Sequence, residues 1–192
     1  MVEQMLDKEQ LTDKIVELEL EMFLTVPTKQ KAGCQEDPDS FILMRKSQFS
    51  PWTQDTLSSY LKDLQDGKKA NRNLMTEKYA RMDNLIPQKN FNPAIAKVVE
   101  IQKKWQKDMI ERYPKIMMKG RPMSSSEDTQ YWTSFETYLR CELETYSGKT
   151  LELLHRHLSE KVAGNENVTE GIYLQMVKGY GYESLEHAEE KS

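Results

Sequence analysis

Apolar side chains recur at intervals of three and four residues along almost the whole chain. That spacing places them on one face of an α-helix, whereas a half-buried strand needs apolar and polar residues to alternate. In the first such segment the apolar stripe consists of Leu11, Ile15, Leu18, Met22 and Val26. No stretch alternates for long enough to predict a strand, so the fold is predicted to be all-α.

Three helix starts are marked by a polar residue followed by proline. The polar side chain can accept a hydrogen bond from a free backbone N–H, and proline suits the first helical position because it has no amide to satisfy. The three pairs are Asp37-Pro38, Ser50-Pro51 and Asn92-Pro93. They predict helices over residues 38–49, 51–66 and 93–113.

Further helices are predicted over residues 11–26, 71–85 and 169–178. Ser124 and Glu127 have the spacing of a capping box, which predicts a long helix that carries aromatic residues from Tyr131 to Tyr146 on one face. No loop is long enough to be an interdomain linker. We therefore predict an irregular bundle of six to eight helices that forms a single domain over residues 1–192.

Composition excludes several classes of function. The net charge is −4 with no long run of Lys or Arg, which argues against nucleic acid as a partner. No apolar stretch approaches 18 residues, and no signal peptide is recognisable, so neither membrane insertion nor export is expected. With only two cysteines, a reducing compartment is favoured over a disulfide-rich secreted fold. We expect a cytoplasmic protein.

Sequence motifs for cofactors and metals are missing. There is no phosphate-binding glycine loop, CxxC pair, HExxH or GxSxG. Glu152 and His155 have the ExxH spacing of carboxylate-bridged metal bundles, but those sites need a second copy, and the sequence has none. No cofactor and no metal site is predicted.

Four charged residues lie within the apolar faces of predicted helices: Glu19, Arg45, Lys78 and Glu142. A charge buried in a protein interior must be paired or bound to something, because its desolvation is costly. Two acids and two bases on four helices therefore predict that the side chains converge, with an acid within about 4 Å of a base. Gln48 shares the face of Arg45, and Tyr60, Tyr79 and Tyr138 are candidates to complete the hydrogen bonding.

Several segments resemble the bacterial family called domain of unknown function 4125. The similar residues are Glu19, Met22-Phe23, Cys34-Gln35, Phe41 to Arg45, Ser47-Gln48, Trp52, Ser59-Tyr60, Asp63-Leu64, Arg72-Asn73-Leu74, Glu77-Lys78-Tyr79 and Tyr138 to Tyr146. The resemblance covers most of the chain. It implies a helical fold and a bacterial or archaeal cytoplasm, and it implies no particular reaction.

Two functional hypotheses follow from the inward charges. In the first, they line a pocket for a small polar or anionic ligand, with Glu142 and Lys78 as candidate catalytic residues. Candidate ligand-binding residues are Glu19, Cys34, Gln35, Arg45, Gln48, Tyr60, Arg72, Asn73, Tyr79 and Tyr138. In the second, the protein is an interaction or regulatory module whose buried charges fix the register of the helices, and an apolar groove for a partner helix would favour it.

Cys34 carries a weaker third alternative. It precedes a predicted helix start, where backbone amides can stabilise a thiolate, although Glu36, Asp37 and Asp39 oppose that effect. A nucleotide-linked or redox role through Cys34 stays open on this basis.

Overall fold

A computed structural model describes residues 6–27 and 36–192. These residues form ten α-helices and one 3-10 turn, and none of them lies in a β-strand, which confirms the all-α prediction. The helices are α1 (Lys8–Leu24), α2 (Pro38–Phe49), α3 (Gln54–Lys69), α4 (Leu74–Met82), α5 (Pro93–Arg112), α6 (Pro114–Met117), α7 (Phe135–Leu143), α8 (Gly148–Ala163), α9 (Val168–Gly179) and α10 (Leu185–Lys191).

The prediction of six to eight helices was too low. The Ser124 and Glu127 capping box forms, but it caps only the 3-10 turn Ser125–Glu127, and the chain then becomes extended at Asp128. A new helix, α7, starts after Ser134, whose side chain accepts a hydrogen bond from the N–H of Thr137. The long helix predicted from Ser124 to Tyr146 is therefore a 3-10 turn, a non-helical segment and the shorter helix α7. The charged C-terminal tail also forms a helix, α10.

Two of the three proline-marked helix starts are confirmed. Asp37 and Asn92 accept hydrogen bonds from backbone N–H groups of the first turns of α2 and α5. The third was wrong, because Ser50 has helical dihedral angles and ends α2 instead of opening α3. Thr53 caps α3 in its place, since its backbone is extended and its side chain accepts from the N–H of Thr56.

The main core lies between α1, α2, α3, α4, α5, α7 and α8. Helix α1 packs against α2, α3 and α4, while α4 also packs against α7. A smaller apolar cluster joins the C-terminal helices to α5 and α6 through Met109, Tyr113, Met117, Val177, Leu185 and Ala188. Among the described helices, none combines the length and apolar character that crossing a membrane requires.

Candidate functional site

The four inward charges meet at the centre of the main core. Glu19 lies on α1, Arg45 on α2, Lys78 on α4 and Glu142 on α7. Their exposed fractions are 0%, 5%, 1% and 5%. Each helix buries its charge because the charge occupies the same face as apolar core residues, which the helical period brings inward together. We call these four residues the charge tetrad.

Arg45 joins the two acids of the charge tetrad. Its Nε and Nη2 atoms donate to the two carboxylate oxygens of Glu19, each at 2.7 Å. Its Nη2 atom also donates to Oε1 of Glu142 at 2.9 Å. The paired contact with Glu19 uses the planar fork of the guanidinium, a geometry that Lys cannot reproduce. The ring of Phe49 lies 4.7 Å from Cζ of Arg45.

Lys78 supplies the second positive charge. Its Nζ atom donates to Oε2 of Glu142 at 2.5 Å. The same atom lies 3.6 Å from the ring centroid of Tyr138, close enough for a cation–π interaction. The ammonium group therefore has a carboxylate and an aromatic face around it, which compensates for its removal from water.

Two tyrosine hydroxyls complete the hydrogen bonding of the acids. Tyr60 donates to Oε1 of Glu19 at 2.6 Å, and Tyr146 donates to Oε1 of Glu142 at 2.8 Å. The two tyrosine rings pack against each other with centroids 4.6 Å apart. The sequence predicts this role for Tyr60, whereas it places Tyr146 only on the apolar face. The signal for Tyr146 was its position four residues after Glu142, which suits a local hydrogen bond.

The charge tetrad pairs two acidic with two basic side chains. Burial by itself would raise the pKa of Glu142, but the positive charges of Arg45 and Lys78 outweigh it and hold that pKa well below the usual range. Burial likewise would lower the pKa of Arg45, yet the two carboxylates raise it. Burial, followed by the nearby carboxylate, raises the pKa of Tyr60 and of Tyr146, so both hydroxyls remain donors.

This geometry favours a structural role for the charge tetrad. All four carboxylate oxygens of Glu19 and Glu142 accept at least one hydrogen bond from within the core. None of the four charged side chains lines the polar cavity or the groove described below. A general acid or base also needs a pKa near the working pH, and Glu142 has the opposite shift.

The remaining candidate residues lie outside the charge tetrad. Arg72 is at the surface, where it makes a paired contact with Glu77. Asn73 caps α4, and its side-chain amide donates to the carbonyl of Met22. Gln48 is half-buried on α2. Cys34 and Gln35 lie outside the described residues.

Tyr79 and Tyr138 flank the charge tetrad. The ring centroid of Tyr79 lies 5.6 Å from Nζ of Lys78 and 6.1 Å from the centroid of Phe23. Tyr138 lies between two cations, because Cζ of Arg121 is 4.4 Å from its ring centroid. Burial, with the charge of Glu142, raises the pKa of Tyr138 to about 12, so its hydroxyl is neutral.

A polar cavity lies beside the charge tetrad. It is formed partly by α4 and α7, the helices that carry Lys78 and Glu142 of the tetrad. Its volume is about 570 Å³, and it lies between α4, α7 and the segment that links the 3-10 turn to α7. Most of its lining groups are polar: Arg81, Met82, Asn84, Ser125, Asp128, Thr129, Gln130, Thr133, Thr137, Arg140 and Cys141. Small-molecule sites have volumes in this range.

Two arginines line the polar cavity, and each is paired with one carboxylate. Nε of Arg81 donates to Oε2 of Glu144 at 2.7 Å, and Nη2 of Arg140 donates to Oε1 of Glu136 at 2.7 Å. The Arg81 side chain is 20% exposed and that of Arg140 is 40% exposed. These charges are oriented by a carboxylate but remain accessible from the cavity. Neither arginine was a candidate in the sequence analysis, because neither lies on an apolar face.

Cys141 contributes a thiol to the polar cavity. The thiol is buried, and this burial raises its pKa to about 11, so it is protonated at neutral pH and a weak nucleophile.

Within residues 6–27 and 36–192, no three His, Cys, Asp or Glu side chains are grouped closely enough to hold a metal ion.

A protein-family profile matches residues 9–190, which is nearly the whole chain. The chain belongs to this family, described as "Protein of unknown function (DUF4125)". The family that the sequence segments resembled is thereby confirmed. Neither the curated proteins nor the solved structures include a match to the chain.

Membership of the DUF4125 family does not assign a role to any residue. The family description leaves activity open, so the roles of residues in this DUF4125 protein rest on geometry. That geometry separates a closed charge tetrad from an accessible polar cavity. The bacterial source and the cytoplasmic location remain predictions.

Proposed function

We propose that this DUF4125 protein binds a small anionic ligand in the polar cavity. The observation that carries the proposal is the pair of arginines, Arg81 and Arg140, on one cavity of about 570 Å³. Arg is the side chain best suited to carboxylate and phosphate groups, because its planar fork donates two parallel hydrogen bonds. The ligand hypothesis of the sequence analysis is therefore retained, but at a different site.

The hydrogen bonds of the two arginines leave donors for a ligand. Within the described part of the chain, Arg140 donates to Glu136 only through Nη2, so its Nε–H and Nη1–H groups are not committed to a protein partner. Arg81 bonds Glu144 at 2.7 Å through Nε and only weakly, at 3.4 Å, through Nη2. A carboxylate or phosphate in the cavity would gain charge-assisted hydrogen bonds without displacing either glutamate.

The other lining groups suit a ligand that also carries hydroxyl or amino groups. Thr129, Gln130 and Thr133, which carry hydroxyl and amide groups, line the cavity. Asp128 accepts from the N–H of Ser134 and the hydroxyl of Thr137, and these hydrogen bonds outweigh burial and keep its pKa low. An ionised Asp128 is an acceptor for a donor group on the ligand. Because the Cys141 thiol is protonated, we propose binding and not nucleophilic catalysis.

The charge tetrad lies on the core side of the two helices that carry the cavity arginines. Lys78 and Arg81 lie one turn apart on α4, and Glu142 follows Arg140 and Cys141 on α7. Since Lys78 and Glu142 are hydrogen-bonded, the tetrad holds the two helices in one relative position. A binding site gains affinity when its side chains stand on elements that are already fixed.

The proposal is tested by thermal unfolding in the presence of defined anions. Inorganic phosphate, citrate and succinate, with sodium chloride at matched ionic strength as the reference, are suitable probes. An anion present at about 100 times its Kd should stabilise the native state by about 2.7 kcal/mol, which raises the Tm by roughly 5–10 °C for a chain of this size.

Matched variants assign any such shift to the polar cavity. Arg140→Gln should abolish the stabilisation, whereas Lys104→Gln, which removes the same charge from an exposed side chain that does not line this cavity, should preserve it. A Tm that responds only to ionic strength, or equal responses of the two variants, would contradict the proposal.

A further inference from the structure

A groove runs along α5 on the other side of Arg140. Its volume is about 490 Å³, and α5 forms one wall with Val99, Lys103 and Lys107, while Met123 and Arg140 lie opposite. We call it the basic groove. It is separate from the polar cavity apart from the shared side chain of Arg140.

The α5 wall of the basic groove is one continuous stripe. Ala96, Val99, Lys103 and Lys107 are spaced by three and four residues, so they lie on one face of the helix. From Ala96 to Lys107 the helix rises about 17 Å, which is roughly three turns. One end of the stripe is apolar, with Ala96 exposed and Val99 packed into the main core beneath it, and the end at Lys103 and Lys107 is basic. An occupant therefore needs an apolar part and an acidic part.

The groove carries more positive than negative charge, although the whole chain has a net charge of −4. Four basic side chains line it against two acidic ones, Glu100 and Glu136. Lys103 and Arg140 both pair with Glu136, each at 2.7 Å, so one carboxylate serves two cations. Hydrogen bonds from Lys103 and then from the backbone N–H of Ser125 lower the pKa of Glu136 to about 2, so this carboxylate is ionised at neutral pH. Because that one carboxylate serves two cations, the groove keeps more positive than negative groups.

The other ion pairs at the groove are weak enough to be exchanged. Lys104 lies 3.4 Å from Glu100, and Lys107 lies 3.9 Å from Glu111, in both cases with strongly exposed side chains. Pairs of this kind within one helix stabilise by only about 0.3–0.5 kcal/mol. A carboxylate of a partner can replace either contact at little cost.

The exposure of the walls indicates the kind of occupant. The side chains of Lys104 and Glu100 are 75% and 70% exposed, so the groove is open to solvent on one side. An occupant would contact the protein with one face, and its other face would remain in water. A small amphiphile would leave part of its apolar tail in water. An amphipathic helix has two faces, and it can bury apolar side chains while its polar face stays solvated.

We infer that the basic groove docks an acidic amphipathic helix of a partner protein. Apolar side chains of that helix contact Ala96 and Met123, and its carboxylates pair with Lys103, Lys104 and Lys107. The inference is independent of the polar cavity, because Lys104 and Lys107 do not line that cavity.

Fluorescence anisotropy with a synthetic peptide tests the inference. The probe is a labelled helical peptide of about four turns with leucines spaced by three and four residues and glutamates on both flanks. It should bind the native protein and lose affinity as salt rises. A peptide with lysine in place of each glutamate should bind at least about tenfold more weakly, since each pair reverses sign.

Charge-reversal variants locate the binding. Lys104→Glu with Lys107→Glu should weaken the acidic peptide at least about tenfold. The control is Lys149→Glu with Lys178→Glu, which makes the same change in net charge at two exposed lysines that do not line the groove, and it should bind as the native protein does. Circular dichroism confirms that both variants fold. Failure of the acidic peptide to bind, or equal loss in both double variants, would overturn the inference.

Discussion

Helices α4 and α7 each carry one buried charge and one charge that is accessible to solvent. Towards the core, Lys78 and Glu142 are buried, and each is paired within the charge tetrad. Towards the polar cavity, Arg81 and Arg140 remain 20% and 40% exposed, and each is held by one carboxylate. Both faces of this helix pair join a basic side chain to a carboxylate, yet one face is closed and the other is accessible.

The difference between the two faces is a matter of desolvation. A charge removed from water must recover its hydration energy from fixed partners, so the partners cannot be given up to a ligand. A half-exposed charge keeps water as a partner, and a ligand can replace that water at small cost. We therefore infer a structural role for the buried charge tetrad and propose ligand binding at the oriented but accessible arginines.

The largest expected effect comes from breaking the charge tetrad. Lys78→Met leaves one uncompensated negative charge in the core and Glu142→Gln leaves one uncompensated positive charge, and each should reduce the free energy of unfolding by about 3–5 kcal/mol. The double variant should recover much of this loss, because Arg45 and Glu19 still pair with each other. Denaturant unfolding of the two single variants and the double variant measures the coupling.

If the single variants unfolded with nearly the free energy of the native protein, the structural role of the core-facing charges would be contradicted. That result would indicate that water and ions already screen the charge tetrad, as expected for a ligand pocket and not for a structural network.

A smaller effect distinguishes the two arginines of the polar cavity. Arg81→Met leaves Glu144, whose side chain is only 4% exposed, without its cation and should cost about 1–3 kcal/mol. Arg140→Gln should change stability by less than about 0.5 kcal/mol, because its partner Glu136 also pairs with Lys103. Denaturant unfolding of both variants measures the two losses of stability. Equal losses would contradict the prediction that the more buried ion pair, Arg81 with Glu144, contributes more.

Acid titration tests the charges on the outer face of α7. The pKa of Glu136 is about 2 in the folded protein, below its ordinary 4.5, so its carboxylate stabilises the fold fully above pH 4.5. That contribution is lost as the pH falls towards 2, since the unfolded chain takes up the proton first. Unfolding free energies of native protein and Glu136→Gln, measured across this range, should converge as the pH decreases. Parallel curves would show that Glu136 is not perturbed.

The smallest effect is expected at the exposed aromatic residues before α7. Tyr131 and Trp132 are 80% and 64% exposed, so Trp132→Ser should change stability by less than about 0.5 kcal/mol. Leu139→Ala, at a residue of α7 that is 6% exposed, should cost about 2–5 kcal/mol as the buried comparison. A large loss of stability in Trp132→Ser would instead support the single apolar face from Tyr131 to Tyr146 that the sequence predicts.

Local patterns determined much of what could be predicted. Helical periodicity and capping residues act over three or four positions, so the helices around Ile15, Phe41 and Val98 could be recognised without a structure. The same periodicity identified the four members of the charge tetrad, because a charge within an apolar face must be buried together with its neighbours. Their convergence then followed from matching signs.

Local patterns were ambiguous where one motif serves two structures. The Ser124 and Glu127 box is equally compatible with a long helix and with a 3-10 turn, and Ser50 before proline is compatible with either end of a helix. What decides such cases is the packing of residues distant in sequence. Tyr146 is another example, since an apolar face and a hydroxyl donor are both consistent with its position.

Only the tertiary structure decided where a ligand can reach the protein. The polar cavity joins Asn84, the segment from Ser125 to Thr133, and Arg140, which are far apart in sequence and carry no shared periodicity. A helical pattern specifies which residues face inward, but the outward faces are all polar and look alike in the sequence. Which of those faces meet to enclose a cavity depends on how the helices pack, so the charge tetrad was predictable and the polar cavity was not.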